Sequence, residues 1–376
     1  MGRSVEERRL GNGLPDLILG EGPPLAVFPG LGMTNGNPTG VQRWGELRLL
    51  APLARHFIVH RISWRVGLAR GTTMADLAAD YARAIEEGFR GPVDVLGIST
   101  GGSIALQLAA DRPDLVNKLV VAGAARRLSE HGRKVQRRAA ALSAAGDRRG
   151  LSRMQAADVA DSRLGRSIAG ALLGLAGPVF ISRGWNPSDM IATIEAEDAF
   201  DLRGRLDGIS APTLVIGGGR DRFYPTRLFR ETAEGIPDGR LVIYEDRAHG
   251  GTFADKRFGR DVFAFLSGSS AERRAPLDRS GDAGVRELLD TEWRVISSRK
   301  RSPLPLRLAK WAAFIAATRR LYGTKWFGAW VFGLPLAGVA THLLYRHKTR
   351  GWTQPWGGWD DPEIMGSGGE PVREDR

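Results

Sequence analysis

Ser99 stands in a setting that could activate a serine hydroxyl. It lies in the segment Gly-Ile-Ser-Thr-Gly-Gly, residues 97–102, directly after the apolar run 93–96. A sharp strand-to-helix turn holds such a hydroxyl exposed, and it leaves the next backbone amide free to stabilise an oxyanion. Gly97 and Gly101 fit this turn because a side chain at either position would crowd it. Ser99 is therefore a candidate nucleophile, and Thr100 carries a candidate oxyanion-binding amide.

The Gly-x-Ser-x-Gly pattern is weak by itself. A chain with 49 glycines contains it by chance about one time in three. The alternative interpretation is a glycine turn with a bystander serine. The context favours the nucleophile, because residues 103–110 have the apolar spacing of a helix and Asp111-Arg112-Pro113 would end it.

A serine nucleophile needs a general base and a carboxylate that orients the base. Of the six histidines, His249 lies just beyond a late apolar run, 241–244, where a loop could carry the imidazole over the sheet edge. Asp221 precedes it and follows the run 213–216. The alternatives are a bystander loop histidine and a turn-capping aspartate. The earlier run 119–122 is followed by Gly-Ala-Ala-Arg-Arg, which holds no carboxylate, so the assignment to Asp221 is strengthened.

A second glycine-rich loop could complete an oxyanion site. Pro-Gly-Leu-Gly, residues 29–32, follows the apolar run 25–28. Its glycines would let the amide of Leu31 or Gly32 turn inward beside the Thr100 amide. A plain glycine turn is the alternative interpretation.

The elements that must position these residues follow an α/β rhythm. Residues 14–266 alternate short apolar runs with helical patterns, which predicts a mostly parallel central sheet with helices on both faces. The expected strands are 25–28, 57–62, 93–96, 119–122, 213–216 and 241–244. The rhythm stops between about 125 and 200, where an Arg-rich helical composition predicts an inserted cap.

Together these motifs resemble the serine-nucleophile branch of the α/β-hydrolase superfamily over residues 14–266. The order Ser99, Asp221, His249 is the chain order of that fold. The resemblance implies that Ser99 is the nucleophile, that His249 is the general base and acid, that Asp221 orients it, and that the amides of Leu31, or Gly32, and Thr100 bind the oxyanion. The sequence departs from common members at Pro29, where many have His, and at Thr100, where Met or Gln is common.

The resemblance implies acyl-transfer chemistry. Family members that open epoxides or cleave carbon–halogen bonds use an aspartate at the position of Ser99. The expected function is hydrolysis of a carboxylic ester, thioester or lactone of a moderately apolar or lipid-like substrate through an acyl-enzyme. The alternatives are carbon–carbon bond hydrolysis, acyl transfer to another acceptor, and a non-catalytic scaffold that docks on membranes. No metal or organic cofactor is implied.

The C-terminal part of the chain differs in character. Residues 267–302 read as a polar linker, 303–350 as a basic amphipathic and apolar helical extension, and 351–376 as a disordered tail. Between 299 and 350 there are eleven Lys and Arg and no Asp or Glu, with seven of the ten tryptophans from Trp293 onward. Residues 326–345 carry no formal charge and could span a bilayer or pack as a buried helix.

Charge and composition narrow the partners and the location. The net charge of +12 is compatible with nucleic acid or an anionic membrane, and basic residues beside tryptophans favour lipid. No nucleic-acid-binding module is recognisable. The absence of cysteine excludes disulfides and thiolate chemistry. The start of the chain lacks an apolar segment long enough for a secretory signal, so we expect a cytoplasmic catalytic domain with possible membrane association through 303–350.

Overall fold

Eight strands form one sheet in the computed structural model, which describes residues 5–32, 36–151, 154 and 186–268. The strands are Glu6–Arg9 (β1), Pro15–Leu19 (β2), Pro24–Phe28 (β3), Ile58–Ile62 (β4), Val93–Ile98 (β5), Val116–Ala122 (β6), Thr213–Gly218 (β7) and Gly239–Tyr244 (β8). Their spatial order is β1-β2-β4-β3-β5-β6-β7-β8. β3 to β8 run parallel, while β2 pairs antiparallel with both β1 and β4. The prediction of a mostly parallel α/β sheet is confirmed.

The six expected strands are present, most of them extended by a few residues, and β1 and β2 were not expected. β1 has the sequence Glu-Glu-Arg-Arg, and all four residues are exposed. Charged side chains suit an edge strand because they discourage pairing with another chain. β2 buries Asp16 completely, where it accepts hydrogen bonds from Arg8 (3.0 Å) and His60 (2.9 Å). β1 lacks the apolar pattern that reveals strands in sequence, whereas β2 has the short apolar run Leu-Ile-Leu and was missed.

Besides a helical segment at 148–151, eight α-helices flank the sheet in the described part of the chain. They are Gly40–Leu50 (α1), Met74–Gly88 (α2), Thr100–Asp111 (α3), Glu130–Ala144 (α4), Pro187–Ala199 (α5), Thr226–Gly235 (α6), His249–Ala254 (α7) and Arg257–Ser267 (α8). Apolar residues of α2, α3 and α6 pack in the core on one face of the sheet. Those of α1 and α8 pack on the other face. The helices therefore cover both faces, as expected.

The segment predicted as a cap is described only in part. α4 and α5 belong to it, and Ala139, Leu151, Met190 and Ile194 form a small apolar cluster between them. Residues 152–153 and 155–185 lie outside the described residues, as do the predicted linker beyond 268, the helical extension 303–350 and the tail 351–376. Every helix in the described part of the chain is too short or too polar to span a bilayer. The candidate span 326–345 is not among them.

Candidate active site

The turn between β5 and α3 holds Ser99 in a strained conformation. Ser99 has φ 53° and ψ −124°, and it is the only residue other than glycine with a positive φ in the described part of the chain. Its amide donates to the carbonyl of Ala122 at the end of β6 (2.8 Å), and its own carbonyl accepts from the Gly102 amide (2.6 Å). Such backbone strain costs on the order of 1–3 kcal/mol, and it persists where the surrounding structure fixes it. The strain presents the side chain above the carboxyl ends of the strands.

Two glycines allow the turn to be this tight. A Cβ added to Gly97 would lie 2.5 Å from the Gly101 carbonyl oxygen. A Cβ on Gly101 would lie 2.1 Å from the Phe28 carbonyl oxygen at the end of β3. Real Cβ atoms do not approach so closely, so both positions require glycine for α3 to start directly against β3 and β5.

The structure brings Ser99, His249 and Asp221 into one hydrogen-bonded chain. The Ser99 Oγ lies 2.9 Å from the His249 Nε2, and the His249 Nδ1 lies 2.7 Å from the Asp221 Oδ2. A carboxylate can only accept, so Nδ1 carries the proton and Nε2 accepts from the Ser99 hydroxyl. The Asp221 side chain is fully buried and that of His249 is 15% exposed. Residues separated by up to 150 positions in sequence thus meet at one edge of the sheet.

Asp221 is fixed by the loop that follows β7. Its Oδ1 accepts hydrogen bonds from the amides of Phe223 (2.8 Å) and Tyr224 (3.1 Å). The same residue therefore caps a turn with one oxygen and binds the histidine with the other. The Arg220 amide donates to the Arg247 carbonyl (2.9 Å), which ties this loop to the one that carries His249.

Aromatic rings surround the imidazole. The rings of Phe223, Phe253 and Tyr224 lie 4.9, 5.5 and 6.0 Å from the His249 ring, between centroids. They restrict the ring's rotation and keep most water away from its edge. Gly123 also lies against it, since a Cβ there would be 3.4 Å from the His249 Cε1 and 2.5 Å from the Phe253 ring.

The glycine loop after β3 lies beside the serine. A Cβ on Gly30 would be 3.2 Å from the Ser99 Cβ. Leu31 and Gly32 follow, and together with Gly30 and Ile98 they line a cavity of about 190 Å³. Thr100 is the first residue of α3, so its amide has no acceptor within the helix. The predicted oxyanion role of the Leu31, Gly32 and Thr100 amides stays a prediction.

The geometry defines what this site can do chemically. A serine hydroxyl that donates to a histidine, itself held by a buried carboxylate, can lose its proton as it attacks an electrophilic carbon. The imidazole can then return the proton to a leaving group.

Comparison with known proteins places the chain in a family. The sequence profile of the α/β hydrolase fold matches residues 23–253. The chain belongs to the α/β-hydrolase fold family. The match contains β3 to β8 and with them Ser99, Asp221 and His249.

Relatives in this family carry several activities in their names. This chain is 31% identical over 163 residues to the pimeloyl-(acyl-carrier protein) methyl ester esterase of Neisseria meningitidis serogroup C, in an alignment that covers 42% of this chain and 62% of that protein. This chain therefore spans less than two thirds of that relative's length. It is 29% identical over 213 residues to a Variovorax paradoxus protein that carries the name carbamate hydrolase RutD, covering 54% of this chain and 77% of the relative.

A solved structure shows the same fold. The enol-lactonase of Burkholderia xenovorans LB400 superposes with a TM-score of 0.56 at 23% identity, covering 70% of this chain and all of that chain. At this identity the likeness speaks for the α/β-hydrolase fold alone.

One buried residue at this site was missed by the sequence analysis. Glu197 on α5 is fully buried, and its carboxylate lies within hydrogen-bond distance of four uncharged donors. They are the hydroxyls of Thr100 (2.8 Å), Ser103 (2.9 Å) and Tyr224 (2.8 Å) and the side-chain amide of Gln136 (2.7 Å). Its spacing in the sequence could have revealed it. Residues 190, 193, 194 and 197 lie on one face of a helix, and the other three are Met, Thr and Ile, so the glutamate falls on the face expected to be buried.

Tyr224 is held as a donor in this cluster. Burial raises the pKa of its hydroxyl well above the usual value, and the charge of the adjacent Glu197 carboxylate adds to the effect. The phenol therefore keeps its proton and donates to Glu197. Its backbone amide meanwhile donates to Asp221.

Proposed function

We propose that this chain is a serine hydrolase that cleaves a carboxylic ester of a small, moderately apolar molecule through an acyl-enzyme. The observation that carries the proposal is the hydrogen-bonded chain from Ser99 through His249 to the buried Asp221. The esterase named among the relatives supports the ester as the substrate class. Thioesters and lactones present the same acyl carbon and belong to the same proposal.

The steps follow from the geometry. The Ser99 oxygen attacks the carbonyl carbon while its proton passes to the His249 Nε2, and Asp221 stabilises the imidazolium through Nδ1. The negative charge on the substrate oxygen is stabilised by the Thr100 amide and an amide of the glycine loop, Leu31 or Gly32. His249 then protonates the leaving alcohol. It next takes a proton from the water that attacks the acyl-enzyme, and it returns this proton to the Ser99 oxygen as the bond to the acyl carbon breaks, which releases the acid and restores the Ser99 hydroxyl.

The cavity beside the glycine loop supports a substrate of limited length with an apolar part. Its volume is about 190 Å³; Leu31, Leu49, Leu50 and Ile98 supply apolar wall, and Gln42, Glu46 and Arg61 supply polar wall. Because Ile98 and Gly30 adjoin Ser99, we place the non-reacting part of the substrate here. We expect hydrolysis of a series of p-nitrophenyl esters by the full-length chain to be fastest for short to medium acyl chains.

Labelling with a fluorophosphonate probe tests the nucleophile. The wild-type chain is expected to be labelled, and Ser99→Ala to lose both labelling and at least about 10³-fold in ester-hydrolysis kcat. Ser188→Ala, which removes an exposed serine on α5, is the matched control and should behave as wild type. A folded wild-type chain that is not labelled would refute the proposal and favour a non-catalytic scaffold.

A further inference from the structure

The Glu197 cluster has no role in the proposed reaction steps, yet it touches both halves of the site. Through the Thr100 hydroxyl the carboxylate holds the residue that follows Ser99 and carries the candidate oxyanion amide. Through the Tyr224 hydroxyl it holds the residue whose amide binds Asp221. One carboxylate thus connects the nucleophile turn to the loop of the acid.

The elements that meet at Glu197 are far apart in sequence. Thr100 and Ser103 begin α3, Gln136 lies on α4, Tyr224 follows β7, and Glu197 itself lies near the end of α5. A carboxylate offers about four acceptor positions, and here four donors point at it. Because a buried donor without an acceptor is costly, the cluster fixes these elements relative to one another.

We propose that Glu197 is a positioning residue for catalysis, which holds Thr100 and Tyr224 so that the oxyanion amide and the Asp221–His249 pair keep their geometry. The proposal rests on the proposed hydrolase function. Glu197 acts through hydrogen bonds to neighbouring residues and does not touch the substrate. Its loss therefore lowers kcat and leaves KM nearly unchanged.

Asp189 provides a matched comparison on the same helix. Its side chain also comes from α5, it is only 1% exposed, and its Oδ1 accepts from the amides of Gly67 (3.0 Å) and Leu68 (2.7 Å). In the described part of the chain, the hydrogen bonds of the Asp189 side chain go to this loop and to none of Ser99, Asp221 and His249. Replacing it removes a buried carboxylate of α5 without disturbing the residues that Glu197 holds.

Glu197→Gln separates hydrogen bonding from charge. A glutamine oxygen in the place of Oε1 can accept from Ser103 and Tyr224, and the amide group in the place of Oε2 then faces Thr100, whose hydroxyl can rotate to accept from it. The Gln136 Oε1 is buried without a hydrogen-bond partner in the described part of the chain, so a rotated Gln136 amide can accept as well. The variant is therefore able to rebuild the cluster without a charge.

The experiment compares Glu197→Ala, Glu197→Gln and Asp189→Ala in the full-length chain. We expect Glu197→Ala to lower the kcat for a p-nitrophenyl ester about tenfold to a hundredfold at an almost unchanged KM. Glu197→Gln and Asp189→Ala are expected to stay within about threefold of wild type. Equal kcat losses in Glu197→Ala and Asp189→Ala, or a Glu197→Gln variant as slow as Glu197→Ala, would overturn the proposal.

NMR spectroscopy tests the positioning role of Glu197 without a measurement of activity. The proton between the His249 Nδ1 and the Asp221 Oδ2 should give a low-field NMR resonance. It is expected to shift or broaden in Glu197→Ala and to stay in place in Asp189→Ala, and an unchanged resonance in Glu197→Ala would contradict the proposal. A wild-type chain without Ser99 labelling would refute the hydrolase function, while this resonance would still report on the positioning.

Thr100→Val covers the case in which Glu197→Ala fails to fold. It removes a single hydroxyl and keeps the shape of the side chain. We expect a severalfold fall in kcat with little change in the temperature of unfolding. A kcat equal to that of wild type would count against positioning through Thr100.

Discussion

The two carboxylate oxygens of Asp221 bind different partners. Oδ1 accepts from the Phe223 and Tyr224 amides, and Oδ2 faces the His249 Nδ1. The two amide hydrogen bonds fix the orientation of the carboxylate independently of its contact with the histidine. Asp221 is therefore a turn-capping residue through Oδ1, as the alternative interpretation suggested. Because this cap fixes the carboxylate, Oδ2 points at the His249 Nδ1.

Asp221→Asn should inactivate the site without unfolding the chain. The asparagine oxygen can keep the two amide hydrogen bonds, so its NH₂ group must face His249 and donate to Nδ1. The proton then moves to Nε2, which can no longer accept from Ser99. We expect kcat for ester hydrolysis to fall about 10³- to 10⁴-fold, as the equivalent change does in serine proteases. The temperature of unfolding should fall little, and retained activity would contradict the proposed role.

The residues of the site differ in how far the sequence could predict them. Ser99, Asp221 and His249 each follow a strand end, and their positions in the chain suffice to suggest that they meet. Glu197 meets partners 97, 94, 61 and 27 positions away on separate elements. Nothing local in the sequence links it to them, because its environment is created by how α5 packs.

At the scale of elements, the site depends on how closely α3 begins against the sheet. The Ser99 carbonyl accepts from Gly102 and Ser103, so the helix starts at the serine itself. Gly101 faces the end of β3, and its lack of a side chain lets the strand, the turn and the helix share one small volume.

Gly101→Ala should therefore destabilise the fold and weaken the site. Its Cβ would lie 2.1 Å from a backbone oxygen that cannot move alone. We expect a loss of about 2–3 kcal/mol in the free energy of unfolding. Gly45→Ala on α1 is the matched control, because no atom lies within 4 Å of its Cβ and alanine favours a helix, so it should gain about 0.5–1 kcal/mol. Urea denaturation of both variants measures the difference, and equal stabilities would refute the steric argument.

The elements themselves were predicted where burial leaves a pattern in the sequence. The parallel strands are short apolar runs, and all six were expected. β1 is charged on every residue, so it does not resemble a strand by composition, whereas β2 has an apolar run, residues 17–19, that was not assigned to a strand. Their place in the sheet depends on strand pairing: β2 pairs with the edge of β4 that β3 leaves open, and β1 pairs with β2.

At the scale of the whole molecule, the sheet and the Ser99–His249–Asp221 chain fall within residues 5–268. The predicted membrane association depends on residues 303–350, which lie outside the described residues, and the predicted cytoplasmic location depends on the start of the chain; both stay predictions.

Deletion of residues 269–376 should leave the proposed chemistry intact. We expect the shortened chain to keep Ser99-dependent fluorophosphonate labelling, because every residue of the site is retained. Loss of labelling in a folded shortened chain would show that the C-terminal part completes the site. Carbonate extraction of membranes from cells that carry the full-length chain tests the span 326–345, and release of the protein into the supernatant would refute it.

The position of β8 has a consequence for how the protein loses activity on heating. In the described part of the chain, β8 is the last strand of the sheet and pairs with β7 alone, and most of its residues are half-buried. β5, which leads to Ser99, lies between two strands and is almost entirely buried. Strands at an edge open locally at a lower free energy than central ones.

His249 follows β8, so we expect thermal inactivation to precede global unfolding. Hydrogen exchange should show β8 amides less protected than those of β5. On heating, His249 would then leave its position while the turn that holds Ser99 is still folded.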